Sequence, residues 1–184
     1  MEPYSFLNLF SQVVDKTVKP FLVGLFLFFC VTGNASAALS KEDKLKAAYL
    51  LNFTKFIEWP VGVDNQSVSS IRICAEESDE FVTFLSDMVR NSKFAGRVPE
   101  VQSLAWDTAS RCNLMYLTSI KNVDLVDLHN VVIVVNSRET YFPSVAIVFY
   151  EKDKRLRFEV DLNYVNSLEV NFSSELLKLA KIRS

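Results

Sequence analysis

Histidine occurs once in the 184 residues, at His129, and glycine only four times, at Gly24, Gly33, Gly62 and Gly96. A zinc site built on paired imidazoles is excluded, as are the glycine-rich loop that cradles phosphate and the fingerprint that binds dinucleotides. No cofactor or metal is expected. Charge of one sign is also lacking: 20 basic against 22 acidic residues give a net charge of -2. A surface that neutralises many phosphates needs a basic excess, so nucleic acid is not expected as a partner. What remains, 49% hydrophobic and 23% charged residues, is the composition of one ordinary globular domain with a single anomaly near its start.

That anomaly is an export signal. Lys16 and Lys19 precede an apolar run from Phe21 to Val31, and Ala35-Ser36-Ala37 follows a short polar stretch. Basic, apolar and small residues in that order predict cleavage between Ala37 and Ala38. A retained anchor is the alternative, but eleven apolar residues rise about 16 Å as a helix, against a hydrocarbon core of about 30 Å. No membrane span is therefore expected after cleavage. The basic residues stand far from Met1, so the leader is long or the start lies downstream. Residues 1–37 are read as signal peptide and residues 38–184 as the domain.

Of three cysteines, Cys30 leaves with the leader, while Cys74 and Cys112 enter an oxidising compartment. An even pair there points to one disulfide; the alternative is two buried thiols.

Along the domain, Ser40 with Asp43 resembles a capping box, and Leu45, Ala48, Tyr49, Asn52, Phe53, Phe56 and Trp59 recur at helical spacing up to Pro60. Residues 71–75 read as a buried strand. Ser78 caps a second helix whose Phe81, Leu85, Met88 and Val89 point inward, and Gly96 lies in its exit turn. Strands are expected over 98–103 and 114–117, two helical turns over 122–128, and a central strand at Val131–Val135, so uniformly apolar that both faces must be covered. Residues 145–150 and 155–161 flank Lys152-Asp153-Lys154 as a hairpin. Arg155, Arg157, Glu159 and Asp161 alternate with Leu156, Phe158 and Val160, which predicts an edge strand with one wet face. A short helix over 161–166, an extended piece over 168–172 and a helix capped by Ser173 complete the chain. The fold class is α/β: a single-domain sandwich with a mixed β-sheet flanked by helices.

Little in this chain looks catalytic. His129 sits in the turn before the most buried strand, where capping accounts for it. Glu76 with Glu77, and Asp124 with Asp127, read as helix-end and surface charges rather than acid–base pairs. Glu58-Trp59 at the end of the first helix offers a ligand cleft, against the simpler reading of a tryptophan packed on the sheet. Sequons at Asn52, Asn65 and Asn171 matter only in a eukaryotic secretory pathway, and the place of Asn52 on the apolar stripe argues against a glycan there.

The run Lys46-Ala47-Ala48-Tyr49-Leu50-Leu51-Asn52-Phe53-Thr54-Lys55-Phe56-Ile57-Glu58-Trp59-Pro60 resembles the opening signature of the YfiR family of periplasmic proteins. Further blocks follow in order: Gly96–Val98, Cys112–Leu117, Val132–Asn136, Arg157–Asp161 and Ser173–Ala180. The resemblance implies a non-enzymatic periplasmic protein that binds the sensor domain of an inner-membrane diguanylate cyclase and holds it inactive. Release would raise cyclic di-GMP and promote biofilm formation. Cys74 and Cys112 match cysteines of the family, which implies a redox input. Two departures stand out: Tyr141–Val145 replaces a glycine pair found in many members, and a second cysteine pair found in some is missing. A homodimer is left open.

Arg155, Arg157, Glu159 and Asp161 are expected to contact the partner; the alternative is an edge charged against aggregation. A small-ligand sensor or carrier, with Glu58 and Trp59 at its cleft, is the competing function.

Overall fold

Ser40, with extended φ and ψ, accepts a hydrogen bond from the Asp43 amide at 3.0 Å and so starts helix α1, Lys41–Phe56. The computed structural model describes residues 38–60, 70–92, 99–118, 128, 130–136 and 144–184. Residues 38–184 make one compact unit. The predicted leader with Ala37, Asn65, Gly96, most of the helix expected over 122–128 with Asp124 and Asp127, His129 and Tyr141–Pro143 lie outside the described residues.

The helix ends four residues before Pro60. Ile57–Glu58 is instead a short strand, β1, paired antiparallel with β8, Asn171–Phe172. The inward face of α1 is also rotated from the predicted stripe: Ala47, Leu50, Leu51, Phe53 and Thr54 are buried, while Leu45 and Asn52 are exposed. Apolar residues run almost unbroken from Ala47 to Leu51, so spacing alone could not choose the face. Lys46 adds to the confusion by being buried, its ammonium held 2.6 Å from Glu42 and 3.7 Å from Asp43. The expectation that Asn52 is shielded is therefore corrected.

Among the described residues, seven strands form the main sheet: β2 Arg72–Glu76, β3 Glu100–Ser103, β4 Leu114–Leu117, β5 Val132–Asn136, β6 Ile147–Lys152, β7 Arg155–Asp161 and β9 Lys181–Arg183. Their order is β3-β2-β4-β5-β6-β7-β9. The first five in that order are mutually parallel, β7 turns back antiparallel to β6, and β9 runs parallel to β7. Mixed pairing and the central position of β5 agree with the sequence reading. Helix α2, Asp79–Arg90, is capped by Ser78 and makes the crossover between β2 and β3.

One face of the sheet carries α1, α2 and the short helices α3, Leu162–Val165, and α4, Ser174–Leu179. Its core includes Ile73, Tyr116, Val134, Phe149 and Phe158. Residues of opposite parity, among them Cys74, Met115, Ile133 and Val148, form a second core with Ala109 of the 3₁₀ turn Trp106–Arg111.

The β6–β7 hairpin turns on Asp153 and Lys154, both left-handed with φ of 53° and 56°. Two such residues make the mirror-image turn that suits strand twist. Lysine pays a steric penalty there that glycine avoids, so Lys154→Gly is expected to raise stability by about 0.5–1 kcal/mol in urea unfolding. A loss would mean that the lysine side chain holds the turn.

Candidate partner-binding surface

The hairpin carries the charged ladder picked out from sequence. The Asp161 amide donates a 3.0 Å hydrogen bond to the Ala146 carbonyl, so odd-numbered residues of β7 turn their backbone groups toward β6 and even-numbered ones turn theirs away. Side chains of Arg155, Arg157, Glu159 and Asp161 share the sheet face opposite the helices.

This face is wet over only half its length, and β7 is not the outermost strand. Glu159 and Asp161 are 8% and 7% exposed because β9 pairs alongside them. Lys181 Nζ donates to Glu159 Oε2 at 3.0 Å. Arg183 donates to Asp161 Oδ2 from Nε at 3.0 Å and from Nη2 at 2.7 Å, and lies 3.7 Å from Glu159. Such charge-assisted, forked bonds are the stronger kind. Asp161 Oδ1 also caps α3 by accepting from the Tyr164 amide at 3.1 Å. Both acids thus serve the fold, correcting the expectation that they face solvent. Lys181-Ile182-Arg183 gave no strand signal: three residues with one apolar position are too short for periodicity to register.

Arg155 and Arg157 stay exposed. Neither forms an ion pair among the described residues. Beside them lies an open groove of about 340 Å³ lined by Tyr150, Lys152, Asp153, Arg157, Leu179 and Lys181. Leu179 is 67% exposed. A second groove of similar volume, between Leu45 of α1 and Leu156 of β7, lies across the hairpin.

Cys74 on β2 and Cys112, just before β4, are joined as a disulfide with Cα atoms 5.9 Å apart. Both are buried. Their neighbourhood is further stitched by Asn113, whose side chain accepts from the Arg72 amide at 2.8 Å while its own amide donates to the Arg72 carbonyl at 2.9 Å. Gln102 Nε2 donates to Cys74 Sγ at 3.4 Å.

Trp59 is 7% exposed, and its indole donates to the Thr54 carbonyl at 3.2 Å, closing the end of α1. Glu58 is exposed in the small ladder opposite Asn171. Their geometry is that of a packed helix end. At the carboxyl ends of β2 and β4, burial raises the Glu77 carboxyl above its ordinary pKa, with Asp43 and Glu76 adding to the shift against the Ser78 amide and Lys46. The nearby Tyr116 hydroxyl is buried without a hydrogen-bond partner among the described residues, and burial, followed by Glu77, raises its pKa strongly. Tyr116→Phe is therefore expected to leave stability unchanged or raise it by about 1 kcal/mol in thermal unfolding. A loss beyond about 1 kcal/mol would reveal a partner for that hydroxyl. Among the described residues, no three His, Cys, Asp or Glu side chains gather as a metal site, and no helix is long and apolar enough to cross a membrane.

A sequence model of a family described as YfiR/HmsC-like matches residues 43–181. No curated protein matches the chain. The match spans α1 to the start of β9, and with it the disulfide, the hairpin and its groove.

Proposed function

The chain belongs to the YfiR/HmsC-like family, and on that premise we propose that it is a periplasmic regulatory protein that binds and represses the sensor domain of an inner-membrane diguanylate cyclase. The family match over residues 43–181 is the observation that carries the proposal. In this reading the protein is a regulator rather than an enzyme. It acts by contact, lowering cyclic di-GMP and with it biofilm formation.

Repression by contact has a thermodynamic requirement. The protein must bind the inactive cyclase better than the active one, because a ligand with equal affinity for both shifts nothing. Moving a two-state equilibrium from 1:99 to 99:1 takes about 10⁴-fold preference. Residues that carry the family resemblance are largely engaged in the fold: Trp59 closes α1, Cys112 and Asn113 fasten β4, and Glu159 and Asp161 hold β9. Arg155 and Arg157, exposed at the hairpin, are the members of the charged ladder left for the partner. We place the inhibitory contact there.

Affinity capture of the exported protein from a cross-linked membrane fraction tests the proposal. An inner-membrane protein carrying a cyclase domain is expected to co-purify. Recovery of a transporter or a receptor in its place would overturn it and favour the ligand-carrier reading.

A further inference from the structure

The groove beside β7 is bordered by an incomplete strand pairing. Contact between β9 and β7 begins only at Glu159, so among the described residues Arg155–Arg157 have no strand on their outer side. Leu156 is even-numbered, so its N–H and C=O point to that open side. Just beyond, Leu179 and Ala180 line the groove where the chain enters β9. An unpaired run of backbone next to an apolar wall is a template for one more strand.

Charge decides which strand fits. Among the described residues, Lys152, Arg157 and Lys181 line the groove against one carboxylate, that of Asp153, and Arg155 stands across from Lys152 in the ladder. Lys181 is already paired with Glu159, whereas Lys152, Arg155 and Arg157 form no ion pair among the described residues. A strand laid along Arg155–Arg157 would set its own alternate side chains opposite the two arginines on one face and opposite Leu156 on the other. Opposite charges across strands are favourable and like charges are not.

We propose that this edge binds an extended acidic peptide segment of a partner protein by strand addition, with carboxylates two residues apart facing Arg155 and Arg157 and an apolar residue between them beside Leu156. This deepens the proposed function, on which it rests for the partner's identity: it states the chemistry of the segment that the cyclase would offer. Backbone pairing supplies attachment, and the acid–apolar–acid pattern supplies register and choice of partner.

The probe is a fluorescein-labelled eight-residue peptide alternating Glu and Val, with a Lys–Val peptide as control, titrated into the purified protein and followed by anisotropy. Binding of the acidic peptide alone is expected, weakening as salt is raised. The double variant Arg155→Glu, Arg157→Glu should weaken it by about tenfold or more, since both residues are exposed and the fold does not depend on them. Leu156→Pro should abolish binding by removing the outward amide, a change that edge positions tolerate. Because that variant could disturb the hairpin, hydrogen exchange on the unaltered protein supplies the second readout: the Leu156 amide should slow on peptide addition.

Equal binding of both peptides, unaltered affinity in the charge variant, or no protection of Leu156 would overturn strand addition. Repression that survives both variants would do so too, and would leave the cyclase reading intact. Peptide binding in a protein whose removal leaves cyclic di-GMP unchanged would sustain the edge site and overturn the cyclase reading.

Discussion

Replacing Phe149 with alanine is expected to lower the stability of the domain by about 3–5 kcal/mol. The ring is fully buried and lies within 5.7 Å of Tyr49, 5.8 Å of Phe53 and 6.1 Å of Tyr116, measured between centroids. Tyr49 and Phe53 in turn meet Phe158 at 5.6 and 5.1 Å, and Phe81 stacks on Tyr116 at 5.6 Å. This chain of rings fastens α1 and α2 to β4, β6 and β7. Its removal opens a cavity among side chains held by rigid elements on both sides, where collapse is difficult. Equilibrium urea unfolding measures the loss. A cost below about 1.5 kcal/mol would mean that the cluster relaxes and that the helix face is held mainly by its aliphatic contacts.

Loss of the Cys74–Cys112 bridge is the second large effect. The disulfide spans 38 residues, and on the chain-entropy model it stabilises the fold by about 4 kcal/mol. Cys74→Ser or Cys112→Ser should therefore cost about 2–4 kcal/mol, a fall in Tm of roughly 4–16 °C. Since either change breaks the same bond, the double variant should cost little more than a single one. Two additive losses would show that the serines act by burying separate polar groups. Both sulfurs are enclosed on the sheet face that carries the 3₁₀ turn, so a reductant reaches them only through local opening. Mass spectrometry without reduction should recover the cross-linked peptides.

How much of this was legible in the sequence depended on how much local chemistry each element carries. Ser78 announces α2 because a cap is decided by one hydroxyl and the acids that follow, and β4 and Val132–Val135 of β5 are buried throughout because the sheet is covered on both faces. Lys152-Asp153-Lys154 marks the hairpin by its charge, and Asp153 is a residue such turns favour, although Lys154 stands where they prefer glycine. By contrast, the buried face of α1 is fixed by what it packs against, and a helix with Leu45, Tyr49, Leu50, Leu51 and Phe56 can be turned several ways without violating its periodicity. Lys46 enters that interface only because Glu42 and Asp43 neutralise it.

The candidate site was half legible. Alternation picked out Arg155, Arg157, Glu159 and Asp161 as one face, which the pairing of β6 with β7 reproduces. It could not say which of the four face solvent, because that is set by β9, twenty residues later in the chain. Lys181 and Arg183 are the missed residues. The available signal was their complementarity: two bases at alternate positions matching two acids at alternate positions, 22 residues apart.

Intracellular cyclic di-GMP, measured in cells that lack this protein and in the same cells with it restored, tests the central claim most directly. Removal should raise the nucleotide several-fold, restoration should return it to baseline, and deleting the captured cyclase should abolish the rise. An unchanged level on removal, or a rise that persists without that cyclase, would contradict repression of the cyclase by contact.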